Sequence, residues 1–230
     1  MRQIIKRVIP AFVPVAAEKK GAISLLAQIR GVARGRMSFK GSIFSSSDVK
    51  RWIEKDGEVF LMAIGIKEGQ KVVDFGAGRG HYTIPAAKLV RGNGKVYAFD
   101  KDGNDLEKLR NTASSMGINN IEIIEADTKV PLGNNCIDVI LCYDVIHYLK
   151  DRTLIYDEAH RILKKGGILS LYPKHCKDDF PLMELVDVSR EEVIQEVLSA
   201  GFYFLSRFKK TLLHDDYYNV GEVFNFQKRQ

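Results

Sequence analysis

The sequence predicts an α/β protein built on a doubly wound, mostly parallel sheet of seven strands that closes with a C-terminal antiparallel hairpin. Three observations predict it. From about residue 70, short β-branched runs alternate with stretches of helical period, the pattern of strand–helix units with right-handed crossovers. The first of these runs passes straight into a glycine-rich loop and then a helix. The tail carries two strand-like runs with only a short polar connection, so these must pair antiparallel.

Taken in order, Lys71-Val72-Val73-Asp74-Phe75 reads as the first strand, Gly76 to Gly80 as a tight loop, and Thr83 to Val90 as a helix of small and apolar positions. Lys95 to Phe99 is the second strand. Asn104 with Glu107 three residues on reads as a capping box, Leu106, Leu109, Ala113 and Met116 line one helix face, and Gly117 stands at C′. Ile121 to Ile124 is the third strand. Ile137 to Cys142, nearly all apolar, is the fourth, as expected of a strand covered on both faces. Leu154, Ile155, Ala159, Ile162 and Leu163 mark a helix that ends at Gly166-Gly167, and Ile168 to Tyr172 is the fifth strand. Ser189 with Glu192 caps a further helix that Gly201 ends. Phe202 to Phe208 and Val220 to Phe226 form the closing pair.

Composition bounds the function. The 230 residues are 45% hydrophobic and 28% charged, which is ordinary for a soluble globular domain. The apolar runs fall short of the roughly 20 residues a bilayer crossing needs, and Lys6, Arg7, Glu18, Lys19 and Lys20 interrupt any leader core; a cytoplasmic protein without a membrane span is expected. Three cysteines are too few for a disulfide scaffold. Cys136 and Cys142, read as one strand, stand about 20 Å apart and cannot bridge or share an ion. The net charge of +6 is uneven. Residues 1–55 hold twelve Lys/Arg against three acids, a balance of +9 that leaves −3 on the remainder. Residues 1–45 therefore read as a separate basic segment, a lid or an interface, and residues 46–230 as the main domain. Residues 1–55 could attract nucleic acid or an acidic ligand.

The chemistry lies in the loop after the first strand. Glycines there let backbone approach a ligand, and the helix N-terminus offers unpaired N–H groups. A dinucleotide fingerprint would place a small residue at the third position of G-x-G-x-x-G. Counting from Gly76 puts His81 there, so a nicotinamide cofactor is disfavoured. Asp100 closes the second strand, where an acid can accept hydrogen bonds from two ribose hydroxyls. No clustered His/Asp/Glu set suggests a metal site, and none is expected.

Together these features resemble the class I S-adenosylmethionine-dependent methyltransferases, whose sheet is Rossmann-like. The resemblance runs from residue 67 to about 175. It rests on Lys67-Glu68-Gly69, Asp74-Phe75-Gly76-Ala77-Gly78-Arg79-Gly80, Asp100, Ala126-Asp127, Ile137-Asp138-Val139-Ile140 and Leu163-Lys164-Lys165-Gly166-Gly167, in family order. The ubiquinone/menaquinone-type, small-molecule branch is the most similar in general pattern. The resemblance implies that S-adenosylmethionine is the cofactor. Asp74 would anchor the loop Gly76-Ala77-Gly78 near the amino-acid end of the cofactor, Asp100 would hold the ribose and Lys101 would flank the adenine. Asp127 would meet the adenine amino group, Thr128 would present a backbone N–H, and Tyr143 would face the methionine moiety, with Tyr82 a further contact. A sulfonium is already a good leaving group, so alignment is the main task; a base is optional, with His147 the first candidate beside Tyr143, Asp144 and His81.

The expected reaction is methyl transfer to a small-molecule acceptor. The alternatives are an RNA or protein methyltransferase docking through the basic segment, and a non-catalytic module that binds the cofactor. Phe39, Phe44 and Trp52 are expected in a lid spanning about residues 37 to 52, since aromatic groups can cover an apolar acceptor and flank a sulfonium.

Overall fold

The computed structural model describes residues 46–177, 179, 185 and 187–229. One seven-stranded sheet runs in the order β3-β2-β1-β4-β5-β7-β6. Its strands are β1 (Lys71–Phe75), β2 (Lys95–Asp100), β3 (Ile121–Glu125), β4 (Ile137–Tyr143), β5 (Leu163–Tyr172), β6 (Phe202–His214) and β7 (Tyr217–Lys228). β1 to β5 pair in parallel, and β7 runs antiparallel to both β5 and β6. The chain winds from β1 through β2 to β3, then returns to lay β4 on the other side of β1. That reversal opens a crevice at the carboxyl ends of β1 and β4, the place where ligands bind in open α/β sheets.

The helices follow from local sequence. Helix α3 (Thr83–Val90) buries Ile84, Ala86, Ala87 and Val90 against the sheet, and Pro85 is tolerated because its N–H would be unpaired in the first turn. Helix α4 (Gly103–Ser115) buries Leu106, Leu109 and Ala113, and Gly117 follows it at φ +68°. Its N-cap is Asp102, whose carboxylate accepts from the Asn104 and Asp105 backbone N–H groups, not the Asn104–Glu107 box. Asp102 wins because its extended backbone aims a short carboxylate back at the first turn. Helix α5 (Thr153–Ile162) buries Ile155, Tyr156, Ala159 and Ile162. It ends before the glycines expected to stop it: β5 already begins at Leu163, with an irregularity in its pairing to β4 between Ile137 and Val139. Helix α6 (Arg190–Ser199) carries the expected reciprocal cap between Ser189 and Glu192. Cys136 precedes β4 and Cys142 is buried within it.

Two features depart further from the sequence reading. The closing strands reach to His214 and Tyr217, six and three residues beyond their expected ends. Residues 47–63 form helix: α1 (Ser47–Arg51), a π turn (Trp52–Asp56) and α2 (Gly57–Ala63). Ser46 caps it, accepting from Val49 N at 3.1 Å. The same hydroxyl donates to the Asp216 carbonyl at 2.6 Å, and Asp48 accepts from Tyr218 N at 3.1 Å. Gly57 lets the helix close onto α3, since a Cβ there would stand 2.7 Å from Pro85 Cγ. Among the described residues, no helix is long and apolar enough to cross a membrane.

Candidate functional site

The glycine loop leaves β1 at the crevice. Gly76 N and Ala77 N donate to the Phe99 carbonyl at 2.8 and 2.9 Å, which ties the loop to β2. Gly76 takes φ +72°, and a Cβ on it would stand 2.3 Å from Val145 Cγ2; only glycine allows this approach. Gly78, at φ +49°, has open space where a Cβ would project. Its N–H donates to Asp100 Oδ2 at 2.8 Å, and Asp102 N donates to Asp100 Oδ1 at 2.9 Å. A carboxylate accepts about four hydrogen bonds, so Asp100 holds the loop and keeps capacity for two hydroxyls. The cradle over Gly78 and the spare acceptors of Asp100 fit the ribose and methionine parts of S-adenosylmethionine.

Asp74 lies beneath the loop and is buried. Thr83 Oγ1 donates to its Oδ2 at 2.6 Å. Burial pushes the Asp74 carboxyl up to about 7, with the nearby Asp100 charge adding to it and the Thr83 bond opposing. The native protein therefore keeps a proton there, between about pH 4 and 7, that the unfolded chain has released. Stability from this group falls as pH rises through that window, by up to about 4 kcal/mol at 1.36 kcal/mol per pKa unit. Asp74→Asn is expected to flatten the loss of stability between about pH 4 and 7, read by urea unfolding; an unchanged slope would show that Asp74 ionises freely.

An aromatic wall backs the loop. Tyr143 closes β4 rather than following it and is buried. Its hydroxyl bonds Ser170 Oγ at 2.6 Å, and its ring meets Tyr82 edge-on at 4.7 Å. Tyr82 donates its hydroxyl to the Leu213 carbonyl at 2.6 Å. Burial pushes both phenols up, so both stay protonated and neutral. Lys101 is exposed, its Nζ 5.7 Å from the Tyr148 ring centre. Asp127 is exposed and Thr128 half-buried in the loop after β3.

Trp52 departs from the lid expected of it. It is 1% exposed, its rings pack on Phe60, Tyr82 and Tyr218, and its Nε1 donates to the His81 carbonyl at 2.8 Å. A side chain fixed on every side is core and cannot act as a flap. Phe39 and Phe44, and the whole of residues 1–45, lie outside the described residues.

His147 is drawn into a cluster that sequence spacing hides. Its side chain is 2% exposed, with Nδ1 3.7 Å from Asp144 Oδ1 and its ring 4.2 Å from that of His175. His175 and His214 also face Asp144. These two histidines were not singled out from sequence, and the set runs against the expectation that no metal-ligating cluster exists. They stand 31 and then 39 residues apart along the chain, with no local motif; the only hint is that each follows or closes a strand at the same end of the sheet. His81, the other histidine near the mouth, faces Asp216 at 3.7 Å, and burial pushes its pKa down.

Comparison with known proteins agrees with this geometry. Residues 66–211 match the family model described as "Methyltransferase domain". The chain is 28% identical over 147 residues to the "Probable cobalt-precorrin-6B C(15)-methyltransferase (decarboxylating)" of Saccharolobus solfataricus, covering 61% of this chain and 72% of that protein. It is 27% identical over 109 residues to the demethylmenaquinone methyltransferase of Geobacillus stearothermophilus, about half of each (47%). Among solved structures, an S-adenosylmethionine-dependent methyltransferase from Aquifex aeolicus superposes with TM-score 0.64 at 27% identity, covering 78% of this chain and 93% of that one. The match spans more than half of the chain, including the glycine loop and both strands of the crevice, and so this protein belongs to the methyltransferase-domain family, with the fold and the cofactor of the S-adenosylmethionine-dependent enzymes.

Proposed function

We propose that this methyltransferase acts on a small-molecule acceptor, holding S-adenosylmethionine with Asp74, Gly76, Ala77, Gly78, Tyr82, Asp100, Lys101, Asp127, Thr128 and Tyr143. The observation that carries the cofactor assignment is Asp100: two of its acceptor sites fix the loop through Gly78 and Asp102 and the rest point to a diol. The acceptor class is supported by the relatives, whose names specify a precorrin and a demethylmenaquinone. When bound, the cofactor supplies an electrophilic methyl on a sulfonium. This chain's own groups would bind and orient it, and the wall of Tyr82, Tyr143 and Phe60 would keep water from the methyl. Proton removal from the acceptor, where needed, is assigned to His147. Residues 1–45, with Phe39 and Phe44, are assigned a role in acceptor selection.

Three measurements test the three parts. Calorimetry on the full chain should show S-adenosylhomocysteine binding and no NAD binding, and labelled methyl from S-adenosylmethionine should enter the small-molecule fraction of a cell extract rather than its RNA or protein. A chain lacking residues 1–45 should bind S-adenosylhomocysteine as before and lose transfer. NAD binding alone would overturn the cofactor, label in RNA would overturn the acceptor class, and full transfer by the shortened chain would overturn the role of the basic segment.

A further inference from the structure

We infer that Asp144, His175 and His214 form a binding site for a divalent transition-metal ion. The three arrive separately at the carboxyl end of the parallel strands: Asp144 just past β4, His175 three residues past β5, and His214 at the end of β6. His175 Nε2 lies 3.2 Å from His214 Nε2 and 3.3 Å from Asp144 Oδ1, and His214 Nε2 lies 3.4 Å from Asp144 Oδ2. Donor atoms bound at about 2.1 Å around an octahedral or tetrahedral ion stand roughly 3.0–3.4 Å from one another. The triangle already has the size of one coordination face.

Hydrogen bonding alone does not account for it. An N–H points along one line, so three mutual approaches cannot all be hydrogen bonds. Asp144 Oδ1 is shielded from solvent and accepts no hydrogen bond despite its two histidine neighbours, a state that costs about 1–3 kcal/mol or more for a charged group. A cation at the centre would satisfy all three donor groups at once. The backbone bears strain to present them, with φ +60° at Asp144 and +64° at His175, conformations that non-glycine residues seldom hold without cause. The Asp215 carboxylate faces His214 Nδ1 at 3.5 Å. That favours the proton on Nδ1 and turns the Nε2 lone pair toward the cluster.

The donor set selects the ion. Two imidazoles and one carboxylate suit zinc, iron(II), cobalt or nickel better than magnesium or calcium. Three protein donors leave positions open for another ligand, and the Asp144 side chain is 24% exposed, so the site is not sealed. It also adjoins the glycine loop. Val145, next to Asp144, is the residue that a side chain on Gly76 would strike, and Asp216, two residues past His214, faces Arg79 and His81 at 3.4 and 3.7 Å. Resting on the methyl-transfer reading, the open positions would take an oxygen of the acceptor and orient it at the mouth of the cofactor crevice, so the acceptor class is a hydroxyl- or carbonyl-bearing molecule.

The test is metal content, not activity. The full chain, stripped with a chelator, is titrated with Zn2+ and with Co2+, whose visible spectrum reports its ligands. About one equivalent should bind, and His175→Ala and His214→Ala should each weaken binding about 100-fold or more while circular dichroism and S-adenosylhomocysteine affinity hold. Should either alanine variant fail to fold, Asp144→Asn, which keeps the shape and removes the charge, replaces it. No stoichiometric binding, or binding that these variants leave unchanged, overturns the site. If S-adenosylhomocysteine binds and metal does not, this inference alone fails; if metal binds and S-adenosylhomocysteine does not, the methyl-transfer reading fails and the site stands.

Discussion

Replacing Trp52 by Ala is expected to destabilise the protein by about 3–5 kcal/mol, the range for removing a large aromatic side chain from a closed core. The indole is almost fully buried and touches Phe60, Tyr82 and Tyr218. It sits in the π turn between α1 and α2, so its loss would also loosen the helix that Ser46 and Asp48 tie to the β6–β7 hairpin. Trp52→Phe should recover most of the loss, less about 1 kcal/mol for the hydrogen bond from Nε1 to the His81 carbonyl. Urea unfolding checks both. A change under about 1 kcal/mol for the alanine variant would mean that residues 47–63 are an appendage and not part of the domain core.

The second large effect falls on ligand binding. Asp100→Ala should weaken S-adenosylhomocysteine binding by about 1.5–3 kcal/mol, roughly 10- to 150-fold. Two losses combine. The charged acceptor for the ribose goes, and so does the tether that holds Gly78 N at 2.8 Å. Gly78, with no side chain and nothing over it within 4 Å, would then be free to leave its cradle conformation. Calorimetry reads the result. Global stability should move far less, since Asp100 is only half-buried. Unchanged affinity would place the ribose elsewhere.

The sequence by itself determined the layout of the sheet and the position of the cofactor loop. These depend on local signals: the β-branched and apolar runs of β1 to β4, the helical period between them, the glycines between β1 and α3, and a single acid at the end of β2. Each signal acts within a few residues, so it survives in one dimension. Strand ends were less legible. Lys209-Lys210 and Asn219 look like loop, yet they pair in register as Lys210 with Gly221 and Leu212 with Asn219, because a hairpin with one open face tolerates polar residues there.

The tertiary structure alone decided what surrounds the loop. Trp52 reads as a lid aromatic at the end of a basic segment until α1 and α2 are seen to close over α3 through Gly57 and Pro85. In the sequence Asp144 stands only among the base candidates, and nothing singles out His175 and His214. They meet because parallel strands deliver their following residues to one end of the sheet, and because the extra length of β6 carries His214 back to that end. Burial, strain and donor geometry are properties of that meeting in space, and no spacing along the chain encodes them.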